Sequence, residues 1–160
     1  MAEELKLDRN SSRETLYVQI LPQIKSVVEG ERDVIANLAN VTAVLKETFE
    51  FLWVGFYLVK DKDLVLGPFQ GPLACTRIGF GKGVCGTAWK EKKTIIVPDV
   101  EKFPGHIACS SKSRSEIVVP LFDSEKNIWA VLDLDSEKLS DFSEIDERNL
   151  VKILKMVPRN

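Results

Sequence analysis

The sequence has little of what marks an extreme chemistry or location. It holds 22 Lys plus Arg against 24 Asp plus Glu, a net charge of −2, and so neither sign dominates. With no run of five like charges, this balance excludes the basic surface that nucleic acid or an anionic membrane would select. Its purely apolar runs are short, Ile95 to Val97 and Ile117 to Val119 among them, far below the ~20 residues that span a bilayer. The opening Met1-Ala2-Glu3-Glu4-Leu5-Lys6 lacks the apolar core of a signal peptide. Repeats and low-complexity tracts are missing as well. Cysteine is scarce: 3 in 160 residues, an odd count that does not make the disulfide framework of a small secreted domain. The expectation is one cytoplasmic domain over residues 1–160.

What is present divides by period. From about Asn10 to Gly30, Leu16, Ile20, Ile24, Val27 and Val28 form a helical stripe, with Ser11 or Ser12 as cap and Gly30 as stop. A second helix is expected from Glu31 to about Thr48. The pattern then turns aromatic and β-branched at Phe51 to Val59, the composition of a strand. Lys60 to Asp63 makes a polar turn and Leu64 to Phe69 returns. Gln70 to Gly86 holds five glycines in 17 residues and is expected to be irregular at its start. A short helix over Val84 to Lys92 and a short strand over Thr94 to Val97 follow, then a long loop over Pro98 to Arg114. Strands Glu116 to Phe122 and Ile128 to Leu134 form a hairpin, and a helix over Ser143 to Met156, capped by Ser143, closes the chain. Hairpin-linked strands with helices outside give an α+β domain with a central antiparallel sheet, preceded by a helical hairpin over 10–48. Loops longer than ~12–15 residues in a compact domain usually serve a function, and both long ones here carry cysteine.

Cys75, Cys85 and Cys109 fall within 35 residues, and the first 74 and last 51 have none. Cys109 lies in a loop with cationic residues nearby in sequence, which lowers a thiol pKa. Cys85 sits in the first turn of its expected helix, where backbone N–H groups favour a thiolate. A nucleophilic thiol with a second thiol on a flexible segment is the minimal apparatus for a sulfenic acid to disulfide cycle. Two plainer readings stand beside it. A single cysteine is most often a small buried hydrophobe. The three cysteines with His106 could also form a zinc set, although the usual C-x₂₋₄-C pair is missing and no metal is expected. His106 by itself reads as a solvated loop residue. Asp133 and Asp135 share one face of a strand with Val131, and by alternation alone a solvated face is their default. Core packing is the default for Trp53 and Tyr57.

Several strings taken together change these odds. They are Trp53-Val54-Gly55-Phe56-Tyr57, Gly67-Pro68-Phe69-Gln70-Gly71-Pro72-Leu73-Ala74-Cys75-Thr76-Arg77-Ile78 and Gly81-Lys82-Gly83-Val84-Cys85-Gly86-Thr87-Ala88-Trp89. Gly105-His106-Ile107-Ala108-Cys109, Ser115-Glu116-Ile117-Val118-Val119-Pro120 and Ala130-Val131-Leu132-Asp133-Leu134-Asp135-Ser136 complete the set. Over nearly its whole length the chain resembles the free methionine-R-sulfoxide reductase family. The resemblance implies a GAF-type domain. It implies Cys109 as nucleophile, Cys75 as resolving thiol, and Cys85 as either a second resolving thiol or an assisting one. Glu116, Asp133 and Asp135 would hold the substrate, with Trp53 and Tyr57 at its methyl end. A thioredoxin-type reductant, a homodimer and no cofactor are implied in the same way. Gly79 stands where the family usually has proline, which is expected to loosen the Cys75 loop, and Ala130 stands where glycine is usual. The rival functions are a non-catalytic GAF-type module that binds a small ligand and a redox-sensing interaction protein.

Overall fold

Ser12 starts the first helix, its hydroxyl accepting from the Thr15 amide; α1 runs Arg13–Glu29 and ends at Gly30. The second helix begins later than its apolar pattern allows. The Asp33 carboxylate accepts from the Ala36 amide at 3.0 Å and fixes the start of α2, Val34–Phe49, so Glu31 lies outside it. Such capping is decided by one side chain, which a stripe of apolar residues cannot register. The computed structural model describes residues 4–159; the outermost ends of the expected 1–160 domain lie outside the described residues.

The remaining elements are β1 (Trp53–Lys60), β2 (Asp63–Gln70), β3 (Arg77–Gly79), α3 (Gly83–Glu91), β4 (Ile95–Val97), β5 (Ser115–Phe122), β6 (Ile128–Ser136) and α4 (Glu144–Met156), with a 3₁₀ turn at Val100–Lys102. All six strands join one antiparallel sheet in the order β3-β2-β1-β6-β5-β4. Two elements, β3 and the 3₁₀ turn, fall in segments expected to be irregular. Ile78 is buried and pairs with Leu64, which holds β3 on β2. Gly79 pairs with Asp63 at the end of this strand. Left-handed backbone begins only at Gly81 (φ +72) and Gly83 (φ +58), where glycine is free of the Cβ clash.

Alternation along β1, β5 and β6 creates two unlike faces. Val54, Phe56, Ile117, Val119, Leu132 and Leu134 join the core under α1, α2 and α4. Buried Asp146 ties two of those helices together. It completes the capping box of α4 with Ser143, accepts from Tyr17 Oη at 2.7 Å and pairs with Arg13 at 3.2 Å. The opposite face carries Trp53, Tyr57, Val118 and Val131 beneath α3.

Candidate active site

Register places the acidic residues together. Asp135 is opposite Trp53 on β1 and opposite Glu116 on β5, while Asp133 is opposite Gly55 and Val118. Residues directly opposite one another share a face, so Glu116, Asp133, Asp135, Trp53 and Tyr57 all point to the α3 side. Helix α3 roofs this surface and lowers Cys85 onto it, where Cys85 Sγ and carboxylate oxygens of Glu116 and Asp133 lie within 4.8 Å of one another. The long loop after β4 supplies a wall: His106 Nε2 is 3.7 Å from Glu116 Oε2, and Ser113 Oγ donates to Asp135 Oδ1. Asp133 Oδ1 is buried with no hydrogen-bond partner among the described residues. Such an orphaned acceptor costs free energy and marks a place for a donor from outside the chain.

The mouth is crossed by a bond. Cys75, on the loop between β2 and β3, and Cys109, on the loop between β4 and β5, form a disulfide with Cα atoms 5.6 Å apart. Cys109 is exposed and Cys75 half-buried. The Cys75 loop rests on the two aromatic residues of β1. Trp53 Nε1 donates to the Pro72 carbonyl at 3.1 Å, and Tyr57 Oη donates to the Cys75 carbonyl at 2.9 Å. The two rings stack on each other, and Phe69 also stacks on Trp53.

Three carboxyl groups under a roof cannot all ionise cheaply. Burial, and then the charge of Asp135, hold the Glu116 carboxyl well above its ordinary range. Burial, then Asp135 and Glu116, do the same to Asp133. Asp135 is raised by burial only to about 6, because the Ser113 hydrogen bond and nearby His106 oppose the shift. Burial thus biases Glu116 and Asp133 toward the protonated form while Asp135 ionises more readily, an environment suited to a cation and a proton acceptor side by side.

The GAF domain family model matches residues 31–154. A Dictyostelium discoideum relative, GAF domain-containing protein A, is 62% identical over 98% of this chain and 99% of its own. The free methionine-R-sulfoxide reductase of Escherichia coli is 43% identical over 86% of this chain and 84% of its own. A solved structure of the Neisseria meningitidis free methionine-R-sulfoxide reductase, in complex with its substrate, is similar at 54% identity. It has a TM-score of 0.92 and covers 98% of this chain and 93% of its own. The chain belongs to the free methionine-R-sulfoxide reductase family.

Family membership coexists with corrections to the reading of single residues. Cys85 does sit in the first turn of α3, yet its thiolate is disfavoured: burial, then Asp133, Glu116 and Asp135, push the thiol well above its ordinary pKa. It is free and buried. The solvated-face reading of Asp133 fails because α3 covers that face. His106 is not a solvated loop residue either, its side chain being only 15% exposed against Glu116. The zinc set of three cysteines and a histidine is not assembled, since Cys75 and Cys109 bond each other. Ser113 was missed altogether. Its only trace in the sequence is its place in a long loop rich in small residues, which says nothing of the carboxylate it meets.

Proposed function

We propose that this oxidoreductase reduces free L-methionine-R-sulfoxide to methionine, with Cys109 as nucleophile and Cys75 as resolving thiol. The observation that carries the reading is the Cys75–Cys109 bond at the mouth of a pocket floored by Glu116, Asp133 and Asp135. Cys109 takes the sulfoxide oxygen: the substrate sulfur gains two electrons and leaves as the thioether, and Cys109 becomes a sulfenic acid. Cys75 then condenses with it, releasing water and forming the disulfide. A thioredoxin-type dithiol reopens that bond and is itself oxidised. The ionised Asp135 and the unpartnered Asp133 Oδ1 accept the substrate ammonium. A proton held by the Glu116–Asp133 pair donates to the sulfoxide oxygen. Trp53 and Tyr57 line the methyl end, and backbone N–H groups of the glycine-rich loops take the substrate carboxylate. Cys85, neutral and buried, assists by packing against the acids rather than by resolving.

Residues 1–160 act as one cytoplasmic domain in this reading, paired as a homodimer. Val18 on α1 is 62% exposed and Ile35 on α2 46%, apolar surface that supports pairing through the N-terminal helices. The reading is tested by methionine release from the free R epimer with dithiothreitol, run beside the S epimer and an N-acetylated, amidated analogue. Turnover of the free R epimer alone is expected. No turnover of any substrate by reduced, folded protein would leave a GAF-type binding or redox-sensing module.

A further inference from the structure

We infer that Trp53 and Tyr57 are positioning residues for the resolving cysteine, forming an aromatic clamp that holds the Gly71–Cys75 loop where Cys75 can close on Cys109. The inference rests on the roles of Cys109 and Cys75 given above. It adds to the two aromatic residues a task separate from lining the substrate's methyl end.

Several independent observations converge on the clamp. Both polar atoms of the aromatic pair, Trp53 Nε1 and Tyr57 Oη, are spent on backbone carbonyls of this loop, those of Pro72 and Cys75. Neither donates to the acidic cluster. Burial above all keeps the Tyr57 phenol protonated, so Oη remains a donor. At Gly71 the loop lies so close that an added Cβ would sit 2.8 Å from both the Leu52 carbonyl oxygen and Trp53 Cδ1. The Trp53 ring itself is held over Gly55, where a Cβ would come within 2.3 Å of it, and stacks with Phe69 and Tyr57, their ring centroids 5.3 and 5.9 Å away. Leu73, in the middle of the loop, is 90% exposed, and only Ala74 and Cys75 pack on the cluster beneath α3. A cysteine on such a segment meets its partner slowly unless its backbone is held, because the rate of closure follows the effective concentration of one thiol at the other. A carbonyl bond on the resolving residue itself is the most direct way to raise it.

The reaction has two steps. Oxygen transfer to Cys109 gives the sulfenic acid; condensation with the Cys75 thiol forms the S–S bond, and the sulfenic oxygen leaves as water. The clamp acts on the second. The measurement is therefore the lifetime of the sulfenic acid, trapped with dimedone and counted by mass spectrometry per methionine formed in a single turnover without reductant. Counting per methionine removes any loss of substrate binding. A parallel arm generates the same sulfenic acid with hydrogen peroxide, which is reduced to water and needs no sulfoxide substrate.

Tyr57→Phe, which removes only the hydroxyl, is expected to raise the trapped fraction about five-fold, the weight of one net hydrogen bond. Trp53→Phe, which keeps an aromatic ring, is expected to raise it by a smaller factor, and Cys75→Ser sets the ceiling. Folding of each variant is verified by its thermal transition, and either aromatic variant suffices if the other fails to fold. A wild-type trapped fraction in the folded variants, with only KM changed, would overturn the clamp and leave pocket lining as their sole task. If Cys75→Ser traps no more than wild type, the clamp falls together with the resolving role of Cys75. If peroxide gives the expected order while the wild type forms no methionine, the clamp stands and the substrate assignment falls.

Discussion

The two faces of the sheet are built from alternate residues of the same strands, yet they are opposites. On β6, Leu132 and Leu134 enter the core beneath α1, α2 and α4. Their neighbours Asp133 and Asp135 face α3 and the cysteine loops, with burial opposing the charge of both. One face gains stability from every side chain it buries. The other has an apolar cluster of its own beneath α3 but sets into it carboxyl groups that cost stability. The cost falls where the chemistry is proposed, and a single strand joins the two so rigidly that a shift of one residue in register would exchange them.

The sharpest way to separate the faces is Cys109→Ser. It is expected to reduce methionine formation below detection, even in a single turnover, while the thermal midpoint of the reduced protein stays within a degree or two of wild type, because Cys109 is exposed. Cys75→Ser differs in kind: about one methionine per chain is expected, with recycling by thioredoxin lost. Unchanged steady-state turnover would remove its resolving role.

On the opposite face the effects reverse. Leu132→Ala is expected to cost about 2–5 kcal/mol of stability, and Asp146→Ala about 1–3 kcal/mol, because it leaves the buried Tyr17 hydroxyl without its acceptor while Arg13 keeps its pair with Asp141. Denaturant unfolding measures both, and the KM of whatever protein remains folded is expected to hold. Asp133→Asn brings the comparison into one position of β6. Removing a buried acid is expected to leave stability equal or higher, while kcat/KM falls about 100-fold or more. A large loss of stability instead would mean that Asp133 belongs to the scaffold.

The smallest effect is a dependence on pH. Asp135 keeps its proton up to about 6 in the folded protein but only to about 4 in the unfolded chain. Between those values the folded form binds more protons, so this group's contribution to stability falls as pH rises from about 4 to about 6. Asp135→Asn is therefore expected to gain stability relative to wild type over that interval. A gap independent of pH in chemical denaturation would refute the shift.

The helices and hairpins were legible in the sequence because their signals are local and repeated: the stripe from Leu16 to Val28, and the alternation along Glu116 to Phe122. The three-residue β3 was not, since one buried Ile78 among glycines leaves no period to detect. The strand face shared by Asp133 and Asp135 could be read by counting in twos. What covers that face could not, because α3 arrives from a distant part of the chain. Cys85 shows the same limit more sharply. Its helix position was visible and favoured a thiolate, while the two acids beneath it, which decide the matter, are 31 and 48 residues away in sequence.

The bond between Cys75 and Cys109 has a topological side. Its ends are 34 positions apart, and the chain between them contains β3, α3, β4 and the 3₁₀ turn, nearly everything that covers the acidic face. Oxidation makes this covering layer a closed ring, and reduction opens it into a strap. A ring has fewer ways to unfold than a strap of equal length, so the roof over the pocket is a different polymer in the two redox states. Protease resistance and amide exchange within that one segment would record which state a given molecule occupies.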